Sequence, residues 1–322
     1  HPIHISNEKN QNGFYELSYE RQDSVLIPMS ETIRGGKIGA ILDLRGSNIE
    51  ENSGGVPTDG ALQNIISQMD SFASKLIEST NNLYAASATT KMESNVTDIS
   101  QYSPLVNTSL NIKTGAVDII IYDIDGNETA RRTIDIDAAT SMSGLSGSNS
   151  IQGKIEAQGD DNSDGNANND IDDYIQFNWA SYASSGDNAV EILMDPSSIA
   201  KGHTFSIEDN LQTSDFNSGS NFAGALGLSR FFDGNSASNM KLNFNLRDNS
   251  TNIAAGTAPL TGDNTLSFNI IQQQFEIYDF EVGSAIYETT MYGMFDIVST
   301  EVGVTTNEAI INNQTITAQF NE

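Results

Sequence analysis

The chain has 322 residues, with 15 Lys+Arg against 43 Asp+Glu, a formal charge of -28, no cysteine, one Trp and 37% hydrophobic residues. That length allows two or three domains and a sizeable core. The charge excludes nucleic acid and anionic membrane surfaces as main partners, since both need clustered Lys or Arg. Without cysteine there are no disulfides, thiolate metal sites or thiol nucleophiles, and the redox compartment is left open. No run of about 18 apolar residues predicts a membrane span. A start at His1 and a polar end at Asn321-Glu322 suggest a fragment of a longer product.

In chain order, two short strands are predicted, Phe14 to Tyr19 and Ser24 to Ile27, the second closed by Pro28. His1 and His4 precede them in a segment expected to fray. A short helix follows from Lys37 to Arg45, with Ile38, Ile41 and Leu42 on one face and Gly46 as its stop. The strongest helical pattern opens near Pro57-Thr58-Asp59 and carries Leu62, Ile65, Met69, Phe72, Leu76 and Leu83 at three- and four-residue steps. Ile66, Ala73 and Ile77 widen the stripe. A second long periodic segment lies at the far end, through Ile286, Met291, Met294, Phe295, Ile297, Val298, Val302, Ile310, Ile311, Ile316 and Phe320.

Between them the composition turns Ser/Asn/Asp/Gly-rich. Strand-like runs occur at 117–122, 133–136, 174–177, 190–193 and 240–246, and Asp125-Gly126 marks a hairpin turn between the first two. Ile151 to Gln158 reads as strand or loop.

The expected fold is therefore α+β and multidomain: a helical wall domain formed by both ends, with inserted β-rich outer domains. Residues 1–96 and 283–322 are assigned to the helical assembly domain with its β-hairpin, 97–210 to a β-rich outer insertion, and 211–282 to a second β-rich domain or its continuation. The expected core of the assembly domain is Ile38, Ile41, Leu42, Leu62, Ile65, Met69, Phe72 and Leu76.

Candidate chemistry is sparse. Asp160, Asn162, Asp164 and Gly165 match the opening of a calcium loop, but its twelfth position is Ile171 where a bidentate Glu is needed. Asp170 or Asp172 stands as a substitute, and a solvated acidic loop is the weightier reading. His203 follows Lys201-Gly202 and reads as a surface or turn residue. No G-x-S-x-G elbow accompanies the Ser and Asp residues. Asp170/Asp172/Asp173 and Glu276/Asp279/Glu281 lack the aromatic platforms of a glycosidase: only Trp179 with Tyr182 lies near an acidic cluster, and Trp179 reads as β-domain core. Gly35-Gly36-Lys37-Ile38-Gly39 lacks the spacing of a phosphate loop. Neither a catalytic site, a metal nor a cofactor is expected.

The order of features carries more than any motif. Ile33 to Gly46 followed by a long helix ending Asn81-Asn82-Leu83-Tyr84-Ala85, then Asn221 to Gly234 with Leu228-Ser229-Arg230-Phe231-Phe232-Asp233-Gly234, resembles the hook-associated protein 1 family of the bacterial flagellum. Ala237 to Leu246, Gly262-Asp263-Asn264 and a closing helix from Tyr287 to Phe320 continue the similarity, whereas 97–210 is weakly covered. The resemblance implies an extracellular structural subunit, without enzymatic activity, that self-assembles into a short cylinder at the hook–filament junction. It implies contacts with copies of itself, the hook protein and the second junction protein. The terminal helices that polymerise and bind the export chaperone in that family are absent from this sequence. Zero cysteine suits export as an unfolded chain. Two alternatives stand beside it: another axial protein such as hook protein, and a secreted calcium-binding or adhesive β-domain protein.

Overall fold

The computed structural model describes residues 2–9, 15–29, 36–46, 57–96, 99–181, 188–211 and 219–320. Phe14, Gly35 and Tyr182, and the side chains of Ile38, Ile316 and Phe320, lie outside the described residues. The elements form an α+β mixture in two units: 1–71 with 281–287 and 293–322, and 72–280 with 288–292.

In the first unit, β1 (Ile3–Lys9), β2 (Tyr15–Glu20) and β3 (Leu26–Pro28) make an antiparallel sheet in the order β1-β2-β3. The expectation of a frayed start is corrected here. Ile3 pairs with Tyr19 and Ile5 with Leu17, and the His4 Nε2 lies 2.8 Å from Glu20 Oε2. The alternation Ile3/Ile5 against polar neighbours is short, which hid the strand from a pattern reading.

Helix α1 (Gly36–Arg45) stops at Gly46, whose φ of 99° only glycine adopts without strain. Gly60, at φ 100°, stands directly against it: a Cβ on Gly46 would lie 2.0 Å from the Asp59 carbonyl, and one on Gly60 would lie 2.4 Å from the Gly46 nitrogen. The end of α1 and the start of α2 (Ala61–Tyr84) thus meet backbone to backbone.

α2 contributes its residues up to Ser71 to the first unit and those from Phe72 to the second. Its apolar stripe is only partly the core that was expected. Ile41 and Leu62 are 51% and 44% exposed, and Leu42, Ile65, Met69, Phe72 and Leu76 are half-buried. The fully buried positions of α2 are Gln68, Ala73, Ile77, Thr80, Asn81 and Tyr84. Polar side chains that find hydrogen-bond partners displace the Leu line from the interior.

The second unit holds two three-stranded antiparallel sheets. One has the order β6-β5-β9, from β5 (Gly115–Tyr122), β6 (Glu128–Ile136) and β9 (Thr204–Asp209). The other has β4-β8-β7, from β4 (Lys91–Glu93), β7 (Ile175–Ser181) and β8 (Asn188–Met194). Their buried side chains share one core: Val117, Ile119, Ile121, Phe205 and Ile207 from the first, with Met92, Phe177, Val190 and Ile192 from the second.

β5 is buried on both faces, since Asp118, Ile120 and Tyr122 are also covered. That is why Ile119, Ile120 and Ile121 follow one another without apolar-polar alternation. At the β5–β6 hairpin Gly126 takes φ 81°, and Asp123 Oδ1 accepts the Asp125 and Asn127 amides at 2.9 and 2.8 Å.

The strand expectation for 240–246 and the strand-or-loop expectation for 151–158 are each corrected in part. Residues 151–158 contain helix α3 (Ile151–Ile155), started by Ser150, whose hydroxyl accepts the Gly153 amide at 2.9 Å. α4 (Ile171–Tyr174) precedes β7, and α5 (Pro196–Ala200) and α6 (Phe222–Leu226) follow. Within 240–246 only β11 (Lys241–Leu242) is strand, paired with β10 (Phe232–Asp233). Asn243 then caps α7 (Phe244–Asp248) by accepting the Asn245 amide at 3.1 Å.

Beyond α8 (Thr265–Gln272) come β12 (Tyr278–Val282) and β13 (Ala285–Thr289). Ile286 therefore sits in a strand. The closing helix α9 runs Met291–Phe320, and within it Met294 and Val298 are buried while Phe295, Val304, Ile310 and Ile311 are exposed.

Candidate functional site

The densest arrangement of specific side chains lies at the last turn of α2, within the second unit. Asn81 is 2% exposed. Its Oδ1 accepts the backbone amides of Phe231 and Phe232 at 2.8 and 2.9 Å, and its Nδ2 donates to the Phe232 carbonyl at 2.9 Å. One amide thus satisfies three backbone groups at the entrance to β10, as a strand partner would.

Asn82 does the same toward α6. Its Oδ1 accepts the Gly224 amide at 3.1 Å and its Nδ2 donates to Asp209 Oδ2 at 2.6 Å. Gly224 is required by this approach: a Cβ there would come within 2.4 Å of the Glu78 carbonyl and 2.8 Å of Asn82 Cβ.

Asp209, at the end of β9, is the hub. Oδ1 accepts the Ser220 amide and hydroxyl at 3.1 and 2.6 Å, and Oδ2 accepts the Asn221 amide at 3.1 Å. Asn221 takes the left-handed conformation at φ 56°, with its Nδ2 donating to the Asn111 carbonyl at 2.9 Å. Asn111 in turn donates to Glu78 Oε2 at 2.8 Å. Thr80 and Tyr84 complete the turn, Thr80 reaching Gln273 Oε1 at 3.2 Å and the Tyr84 hydroxyl accepting the Ala254 amide at 3.1 Å. Burial raises the Tyr84 phenol above its ordinary value. Its ring meets Phe231 edge-on, centroids 5.4 Å apart.

Beside this junction is a cleft of about 160 Å³ lined by Lys75, Glu78, Asn82, Asn111, Lys113 and Asp209. Both oxygens of Asp209 are occupied by amides and a hydroxyl, so it stands as an anchor and not as a base. Sequence reasoning reached Asn81 and Asn82 but missed Asp209 and Ser220. Their signal was the polar pair Ser220-Asn221 directly before a helix, a start signature.

The remaining candidates are scattered. His203 Nδ1 lies 3.3 Å from the Ser198 carbonyl, its ring 5.0 Å from Tyr174. Trp179 is partly buried against the sandwich core and edge-on to Phe177. In the acidic loop, Arg132 ties Asp161 and Asp172 at 2.7 and 2.8 Å and donates to the Lys154 and Ile155 carbonyls. A second arginine, Arg131, joins Asp118, Glu128 and Glu208. Burial raises Glu208 above the usual carboxylate value against the pull of Arg131. Among the described residues no three His, Cys, Asp or Glu side chains are grouped to hold a metal ion, and no helix is long and apolar enough to cross a membrane.

No protein-family model matches the chain, and no curated protein matches it.

Proposed function

We propose that this chain is a structural subunit of the bacterial flagellum, acting at the junction of hook and filament by self-assembly with copies of itself and contact with neighbouring axial proteins. It has no catalytic task and works outside the cell. The observation that supports the reading is the α2 junction. Two of the several stretches that carry the resemblance to hook-associated protein 1, the helix end at Asn81-Asn82 and the segment Asn221 to Gly234, lie some 150 residues apart in sequence and are held together by hydrogen bonds from both asparagines. Features shared in order are thus also joined in space, as parts of one supporting joint.

The first unit supports the same reading from another side. Ile41, Leu62, Ile66, Phe295, Ile310 and Ile311 are exposed, apolar side chains available for contacts between subunits. A subunit that stacks in a lattice needs complementary patches and no pocket.

Deletion of the parent gene tests the proposal. Cells should build hooks without attached filaments and release flagellin into the medium; filaments of normal length on the deletion strain would refute it.

A further inference from the structure

The outer face of the β6-β5-β9 sheet carries more acid than Arg131 can neutralise. Asp118 of β5 stands directly opposite Glu208 of β9 and opposite Thr133 of β6, with Arg131 two residues before Thr133 on the same face. Like charges facing each other across paired strands oppose the pairing. Arg131 answers three carboxylates at once. Its Nε and Nη2 donate to the two oxygens of Glu128 at 3.0 and 2.8 Å, and its Nη1 is divided between Asp118 Oδ2 at 2.7 Å and Glu208 Oε1 at 3.1 Å.

The donors are shared unevenly. Asp118, which is buried, also accepts the Thr133 hydroxyl at 2.7 Å and the Asn210 side-chain amide at 3.0 Å on Oδ1. Glu128 has both oxygens on the guanidinium and is open to solvent. Glu208, half-buried, receives the longer share of one divided nitrogen. Tyr122 of β5 completes this face, and the cleft that Glu208 lines adds Lys75, Lys113, Glu78 and Asp209, two cations against two further acids. The surplus negative charge therefore rests on Glu208.

We propose that Glu208 is the proton-binding member of a pH-sensitive clasp: in mildly acidic medium it takes up a proton from water, and the pairing of β9 with β5 tightens. The proton removes the repulsion between Glu208 and Asp118 and leaves Arg131 Nη1 to Asp118. Burial, which raises Glu208 above its ordinary value, acts in the same direction. The folded chain thus holds this proton more firmly than the unfolded chain does. Stability is gained as pH falls through the folded value toward the ordinary 4.5, and is forgone above it. The next residue, Asp209, anchors the α2 junction, so the clasp acts on the strand that carries that anchor. The proposal stands independently of the flagellar reading.

The test is a carbon-detected NMR titration of the side-chain carboxyls in the 322-residue chain, paired with urea melts at each pH. Glu208 should titrate above 4.5, and the Asp118 carboxyl and Arg131 guanidinium signals should shift at the same midpoint. Glu208→Gln should be more stable than the parent chain at neutral pH, with the gap closing as pH falls. Asp118→Asn, checked for the parent's circular dichroism, leaves the divided nitrogen to Glu208 and should lower its midpoint. Asp125→Asn, in the β5–β6 turn, should leave that midpoint where it is. A Glu208 midpoint at or below 4.5, an Asp118 signal indifferent to it, or a Glu208→Gln chain less stable than the parent at neutral pH would each overturn the clasp. The first two readings come from the parent chain and hold whether or not a variant folds.

Discussion

Both units expose apolar side chains, Leu145 and Phe275 in the second among them, but they differ in how much enclosed core they hold. In the second, Ile119, Ile121, Phe205 and Ile192 are enclosed by two sheets, and even the outer face of β5 is covered. In the first, the apolar residues of α1, of α2 up to Ser71 and of α9 from Gly293 are largely open, with Met294 and Val298 as the buried exceptions. Stability of the isolated chain should therefore be a property of the second unit, and the first should contribute surfaces more than core.

Substitutions in both units and one titration sharpen that contrast. Phe205→Ala, emptying a fully buried site, should cost about 3–5 kcal/mol and move the urea midpoint of the second unit accordingly. Asn81→Ala removes the partner of two amides and a carbonyl; because Phe231 and Phe232 are only partly buried, a total loss of about 1–3 kcal/mol is expected despite its small volume. Gly46→Ala in the first unit meets both a positive φ and the Asp59 carbonyl. A strain of about 1–3 kcal/mol should appear as faster amide exchange in α1 while the second unit melts unchanged.

The titration concerns Asp263, which accepts bonds from the Thr265 side chain and from the Thr265, Ala258 and Thr257 amides. These hold its carboxyl down, at about 2 against 3.8. Its contribution is present above the unfolded value and is lost as pH falls through about 2, so amides at 257–258 should lose protection there, and Asp263→Asn should abolish that step. The smallest effect is expected for Ile41→Ser or Leu62→Ser, within about 0.5 kcal/mol of the parent in denaturant. A loss in either as large as that of Phe205→Ala would place the core in the wrong unit.

What was legible in the sequence followed the physics of each signal. The long helices, the β5–β6 hairpin and the strands at 175–181 and 188–194 announce themselves through periodicity and turn chemistry, which are local. β1 was missed because its pairing with β2, not its composition, makes it a strand. Residues 244–248 became helix because Asn243 caps them, overriding the β-prone Leu and Phe. Within α2, counting apolar residues located the helix and, in Ala73 and Ile77, part of its buried line, but not Asn81 and Gln68, which are buried by virtue of partners remote in sequence: Glu301 for Gln68 and Phe231-Phe232 for Asn81. The Asp209 hub was invisible for the same reason.

The α2 junction also orders events in time. Asn81 closes on Phe232, 151 residues downstream, and contacts of such separation form late because a long loop must be closed first. A chain delivered from its amino end can assemble α2 early as a helix, yet the last turn stays unsatisfied until residue 232 has arrived. Closure of that turn is thus a natural checkpoint for the arrival of the second unit as far as residue 232, and hydrogen exchange during refolding should find the Phe231 and Phe232 amides among the last to be protected.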